Sequence, residues 1–140
     1  MAVSDNVLNA AFTDNSEAKE QLPTFLAMLT YTSRSASHWA LYHHPYEHSK
    51  RHLTQLYAPP LEEFVVMGTY LTESENEETL QKIDGPTIGI ITKGKVRVTV
   101  EGESMELDPG GVFYVVPNCE VTVELLSAKS GEVWWAATMV

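Results

Sequence analysis

The stretch from Gly85 to Pro117 constrains this chain more than any other. Ile88, Ile90 and Ile91 form a β-branched run that the sequence brings to a stop at Lys93-Gly94. Val96, Val98 and Val100 then alternate with Lys95, Arg97, Thr99 and Glu101, the period-two pattern of a strand with one buried face. Glu101-Gly102-Glu103 suits a turn at positive φ, and Asp108-Pro109-Gly110-Gly111 supplies a second corner. Val112 to Val116 follows as an apolar strand closed by Pro117-Asn118. Short strands at regular spacing with Gly and Pro corners predict an antiparallel β-sandwich or small barrel.

The flanking sequence is read against that unit. Residues 1–36 predict a helical appendage. Ser4 or Asp5 offers a cap, Pro23 suits a first helical turn, and Phe25, Leu26, Met28 and Leu29 form one apolar stripe. That stripe needs a surface to pack on, and the outside or one end of the barrel is the expected one. Residues 37–52 form a His-rich loop, and residues 53–140 the barrel. Within the barrel, Glu63 to Thr72 predicts a strand, Ser74 to Thr79 an acidic hairpin or loop, and Val121 to Leu125 a strand. Ser127 to Gly131 predicts a turn, and Val133 to Val140 a closing strand with Trp134 and Trp135 on opposite faces.

Charge excludes some functions. The formal net charge is −10, and the segment from Leu61 to Asp84 holds seven acidic residues against Lys82 alone. A chain with no basic cluster lacks the cations that phosphate contacts need, so nucleic acid is not an expected partner. No apolar run reaches membrane-spanning length and no signal-peptide pattern opens the chain, which excludes a membrane role and predicts a cytoplasmic protein. The single Cys119 cannot form an internal disulfide and has no obvious activating base, so it reads as structural.

All five histidines lie between His38 and His52. His43, His44 and His48, with His52 as a further member, are candidates for a metal site or a general base, with Glu47 or Tyr46 as partner. A polar surface loop that is merely rich in histidine is the competing reading. No His follows His52, so the barrel lacks a His-x-His pattern, and no metal and no cofactor are expected inside it. Trp39, Tyr42, Tyr70, Phe113, Tyr114, Trp134 and Trp135 are candidates to line an apolar substrate pocket, although any one of them also suits an ordinary core. Lys93, Lys95 and Arg97 read as a solvated strand face.

Two sets of residues carry a family resemblance. The strand–Gly–strand–Pro-Gly–strand–Pro order resembles a cupin, the double-stranded β-helix. Ser4-Asp5-Asn6-Val7, Phe12-Thr13 and Met28-Leu29-Thr30-Tyr31, with Leu56-Tyr57-Ala58-Pro59-Pro60-Leu61-Glu62-Glu63-Phe64 and the Gly85–Pro117 core, resemble the C-terminal part of type I phosphomannose isomerases. The resemblance fades between His38 and His52. It implies that the family's zinc ligands, a Gln, two His and a Glu, belong upstream of the Ser4–Val7 passage, in sequence absent here. It also places Asn9 where the family has its catalytic Arg. Without that cation and that Lewis acid, the resemblance implies a family fragment that does not isomerise mannose 6-phosphate by the family mechanism.

The resulting expectation is a mainly β, cupin-like protein with a short N-terminal helical segment. It is expected to act without a metal as a small-molecule isomerase, cyclase or dehydratase. His43, His44 and His48 would move protons with a carboxylate such as Glu63 or Asp5. The alternative is a non-catalytic binding or accessory module or a homodimeric scaffold, whose exposed strands form an interface.

Overall fold

The computed structural model describes residues 22–23, 26–27, 33–59 and 63–138. The chain divides into two compact units, residues 1–39 and 40–140. In the first, residues 22–23 and 26–27 are helical, with Leu22 and Leu26 exposed, and Ala36–Trp39 makes one helical turn. The cap residues Ser4 and Asp5 and the rest of the apolar stripe (Phe25, Met28 and Leu29) lie outside the described residues, as do the matched motifs before Leu22.

The described residues of the second unit form eight strands. They are β1 (His43–Pro45), β2 (Thr54–Tyr57), β3 (Val65–Thr72), β4 (Glu77–Leu80), β5 (Thr87–Val100), β6 (Glu103–Leu107), β7 (Val112–Val115) and β8 (Val121–Ala137). All pairings are antiparallel, in the order β1-β2-β3-β8-β5-β6, with β4 on β8 and β7 on β5. The turns behave as their residues require. Glu101 and Gly102 take φ 51° and 86° between β5 and β6, and Gly110 takes φ 92° before β7.

Two long strands carry the curl. The Ile88–Ile91 run does not stop at Lys93-Gly94, and Ser127 to Gly131 does not reverse the chain. Both segments are irregularities inside β5 and β8, which run on through them. Lys93 pairs with Glu132 and Lys95 with Ser127, so residues 128–131 of β8 face Gly94 alone. Strict alternation cannot put both Ile91 and Val96 inside, and the register shifts between them flip the parity so that both are buried. One half of each long strand then joins β1, β2, β3 and β7, and the other half joins β4 and β6.

Both halves bury the same face in a single core. Met67, Leu71, Ile91, Val96, Val123 and Val133 form its centre, and Phe113 meets Trp135 edge-on at 5.2 Å. A polar thread crosses this core without loose ends. Trp135 Nε1 donates to Thr69 Oγ1 at 2.9 Å, and Thr69 shares a 2.8 Å hydrogen bond with Thr54 Oγ1. The segment expected as an acidic loop contains β4, where Glu78 lies on the same buried face as Leu80.

Candidate functional site

The described residues place His43 and His44 on the edge strand of this sheet and His48 just beyond it. In β1, His43 opposes Tyr57 and His44 opposes Leu56, so the two rings belong to opposite faces. Leu56 opposes the core residue Met67, which makes the His44 side a continuation of the concave face. Beyond β1 the chain turns inward at Tyr46, whose ring is buried, and presents Glu47 and His48 outward. His44, Pro45, Tyr46, Glu47, His48 and Leu56 enclose a cleft of about 230 Å³. That is small beside the usual ligand pocket, so an occupant has to be small.

Several contacts fix the groups in the cleft. His48 lies edge-on to Tyr46 at 5.5 Å, has Nδ1 at 3.4 Å from Gln81 Oε1, and has Nε2 at 3.9 Å from Glu47 Oε1. A proton on Nδ1, donated to Gln81, leaves Nε2 as the basic nitrogen on the Glu47 side. Burial, then the charges of Glu47 and Asp84, raise the Tyr46 phenol above its ordinary value, so it stays a neutral donor. Such a cleft can take a proton on an imidazole, stabilise the resulting imidazolium with a carboxylate, and offer a hydroxyl hydrogen bond.

The other expected site residues go elsewhere. His43 stacks at a tilt on Tyr57 at 5.3 Å, with Nδ1 at 3.2 Å from Gln55 Oε1, on the face away from His44. Glu63 is exposed at the bend before β3 and is not among the cleft residues, and Asp5 lies outside the described residues. Phe113 and Trp135 are buried and do not line the histidine cleft. They fill the core, because their strand positions face inward. Tyr70 and Trp134 lie on the outer face of the sheet. Trp134 meets Tyr70 at 6.0 Å and Tyr57 at 5.5 Å, and the Tyr57 and Tyr70 hydroxyls are 3.1 Å apart. Tyr114 is exposed on that outer face, Tyr42 is 89% exposed ahead of β1, and the Trp39 side chain lies outside what the structure describes. The six aromatic candidates whose side chains are described therefore divide between the core, the outer face and the segment ahead of β1.

Two other expectations also gain a geometry. Lys93, Lys95 and Arg97 are each engaged by carboxylates, with Lys95 and Arg97 sharing Glu106 at 2.8 and 3.1 Å and Arg97 reaching Glu124 at 2.8 Å. Hydrogen bonds from Lys95 and then Arg97 hold the Glu106 carboxyl below its usual range. The Cys119 thiol is pushed up by desolvation and then by Glu101, which disfavours the reactive thiolate. Among the described residues no three His, Cys, Asp or Glu side chains come together so as to hold a metal ion.

Sequence reasoning missed Glu78, Ser49, Leu56 and Gln81. Glu78 was findable, since the alternation through Leu80 puts position 78 on the buried face. Leu56 reaches the cleft only through strand pairing, and Gln81 reaches His48 only through a long-range hydrogen bond, neither of which a local pattern states.

These strands, curled around a filled core with corners at Gly94 and Gly110, define a cupin. An RmlC-like cupin from Shewanella frigidimarina superposes with a TM-score of 0.54 at 12% identity, covering 80% of this chain and 93% of that one. An RmlC-like cupin with a double-stranded β-helix fold from Methanocaldococcus jannaschii gives 0.53 at 12% identity, covering 80% and 92%. At that identity the likeness is one of fold. No protein-family model matches the chain. The sequence is 34% identical over 125 residues to mannose-6-phosphate isomerase of Saccharomyces cerevisiae, across 89% of this chain and 28% of the yeast enzyme. The chain belongs to the mannose-6-phosphate isomerase family as a segment, spanning under a third of the length of the curated relatives it matches. No described helix is long and apolar enough to cross a membrane.

Proposed function

We propose that this chain binds a small polar molecule in the His44–His48 cleft and moves protons on it. The reaction class is that of an isomerase, cyclase or dehydratase that needs no metal, and it is not the isomerisation of mannose 6-phosphate. The observation that carries this reading is the meeting of two imidazoles, the Glu47 carboxylate and the Tyr46 phenol in one concavity. One imidazole removes a proton from the substrate while the other, protonated, returns one elsewhere. Proton and charge then balance with no redox partner. Glu47 beside His48 Nε2 stabilises the imidazolium that forms. The chain's Asn9, at the position the family resemblance gives to a catalytic Arg, supports a reaction other than the family's.

Native mass spectrometry of the purified protein, with metal analysis of the same sample, tests this. The expected result is one small organic molecule per chain, lost in His44→Ala and His48→Ala while the melting temperature is unchanged. Stoichiometric zinc or iron lost with the same substitutions would overturn the metal-free assignment. Neither ligand nor metal would sink the enzyme and favour a second reading, an interaction module.

The second reading has its own observation. The outer face of β7, β5 and β8 presents Val112, Tyr114, Ile88 and Ile90 beside Trp134, with Tyr114 and Ile88 56% and 52% exposed. An apolar sheet face of this kind suits a partner, and a second copy of this chain is the occupant its self-complementary, uncharged centre fits.

A further inference from the structure

We infer that Glu78 is the positioning residue of the histidine cleft. Its carboxylate fixes the backbone of the segment between β1 and β2 that carries Glu47 and His48. The inference rests on the cleft being the working site. Glu78 is 0% exposed, and among the described residues no Lys, Arg or His forms an ion pair with it. The guanidinium of neighbouring Arg51 is engaged by Glu77 at 2.8 Å instead. A carboxylate in that position is costly unless its oxygens are fully hydrogen-bonded.

Here they are. Ser49 Oγ and the Leu53 amide donate to Oε2 at 2.6 and 2.8 Å, and the Arg51 and Thr79 amides donate to Oε1 at 3.0 and 2.8 Å. Three of these donors (Ser49, Arg51 and Leu53) lie in one short stretch between β1 and β2. The same stretch holds His52 at φ 62°, a conformation that needs support from its surroundings. The segment is also pinned to the neighbourhood of β4, where the Lys50 amide donates to the Thr79 carbonyl and the Gln81 amide to the His48 carbonyl, both at 3.0 Å.

Packing alone does not call for a carboxylate at this place, since Leu80 fills the same buried face of β4 with hydrocarbon. A carboxylate does what a hydrocarbon cannot, which is to accept from amides converging on it out of a turning segment. The line of action runs from Glu78 to the Ser49–Leu53 backbone, then to the placement of His48 between the Tyr46 ring and Gln81.

The test is Glu78→Gln in the full chain, which keeps the shape but replaces one accepting oxygen with a donor. Hydrogen exchange at the Arg51 and Leu53 amides should become roughly tenfold faster, the size expected from losing a hydrogen bond to a charged acceptor. The His48 ring resonances, displaced by Tyr46, should move toward free-imidazole positions, while exchange in β5 and β8 stays as in the parent protein. Glu78→Asp, which keeps both accepting oxygens, should restore part of the His48 signature. Unchanged His48 resonances in Glu78→Gln, or a loss of protection spread evenly over the molecule, would overturn the assignment. If Glu78→Gln fails to fold, Ser49→Ala replaces it, and an unmoved His48 in that variant overturns it equally. The two readings fail separately. A moved His48 with no small molecule on the parent protein sinks the function and keeps the positioning role. Equal retention of a ligand by parent and Glu78→Gln, with His48 unmoved, does the reverse.

Discussion

Tyr70 holds its proton more tightly than a free phenol. Desolvation first, then the hydrogen bond it shares with Tyr57 and the charge of Glu132, push it up to about 12. The neutral form is the one the fold favours. The stability this contributes is therefore fully present below the unfolded value near 10 and is lost as pH rises toward about 12. In an absorbance titration of the phenols, the most alkaline step should belong to this pair and vanish in Tyr70→Phe. Survival of that step would refute the assignment. Residue-level readings of the sequence stop short where burial decides the role. Phe113 and Trp135 carry the same alternation whether a barrel is open or filled, and only the folded chain shows that both are buried. His44 and His48 were legible from the density of histidines alone. Their separation from His43 followed only from β1 being a strand, in which neighbours face opposite ways.

At the scale of elements, the two long strands depend on one glycine. Gly94 sits at φ 74°, and a β-carbon there would lie 2.8 Å from the Ser130 carbonyl oxygen and 2.9 Å from Leu125 Cδ1. Both the backbone conformation and the space exclude a side chain. Gly94→Ala should therefore cost about 2 kcal/mol or more, combining the left-handed penalty with overpacking. The urea midpoint should fall while the slope is kept, and an unchanged midpoint would mean that the corner does not need this glycine. The strands on either side of the corner were readable from their alternation, because each half obeys a local rule. Their continuity was not. A Lys-Gly pair and a Ser-to-Gly stretch give the same local signal for a chain reversal and for a bulge, and only the pairing of Lys93 with Glu132 and Lys95 with Ser127 tells them apart.

At the scale of the whole molecule, net charge and the apolar sheet face make a joint prediction. A chain at −10 repels its own copy, and the repulsion is weakest where the surface carries no charge. The outer face presents the uncharged Ile88, Ile90, Val112 and Tyr114, and Lys93 and Glu132, further along β5 and β8, balance each other at 3.5 Å. Two copies meeting there gain apolar burial and pay mainly the long-range repulsion, which salt removes over a Debye length of about 10 Å at 0.1 M. Self-association should therefore tighten as sodium chloride rises, the opposite of what a basic partner drawn to an acidic surface would show. Sedimentation across a salt series checks this. Ile90→Glu with Tyr114→Glu should leave a monomer of unchanged fold at every salt concentration. A parent protein that stays monomeric throughout would leave the face without a second copy. Association that weakens with salt would show that charge, rather than this face, holds the copies together.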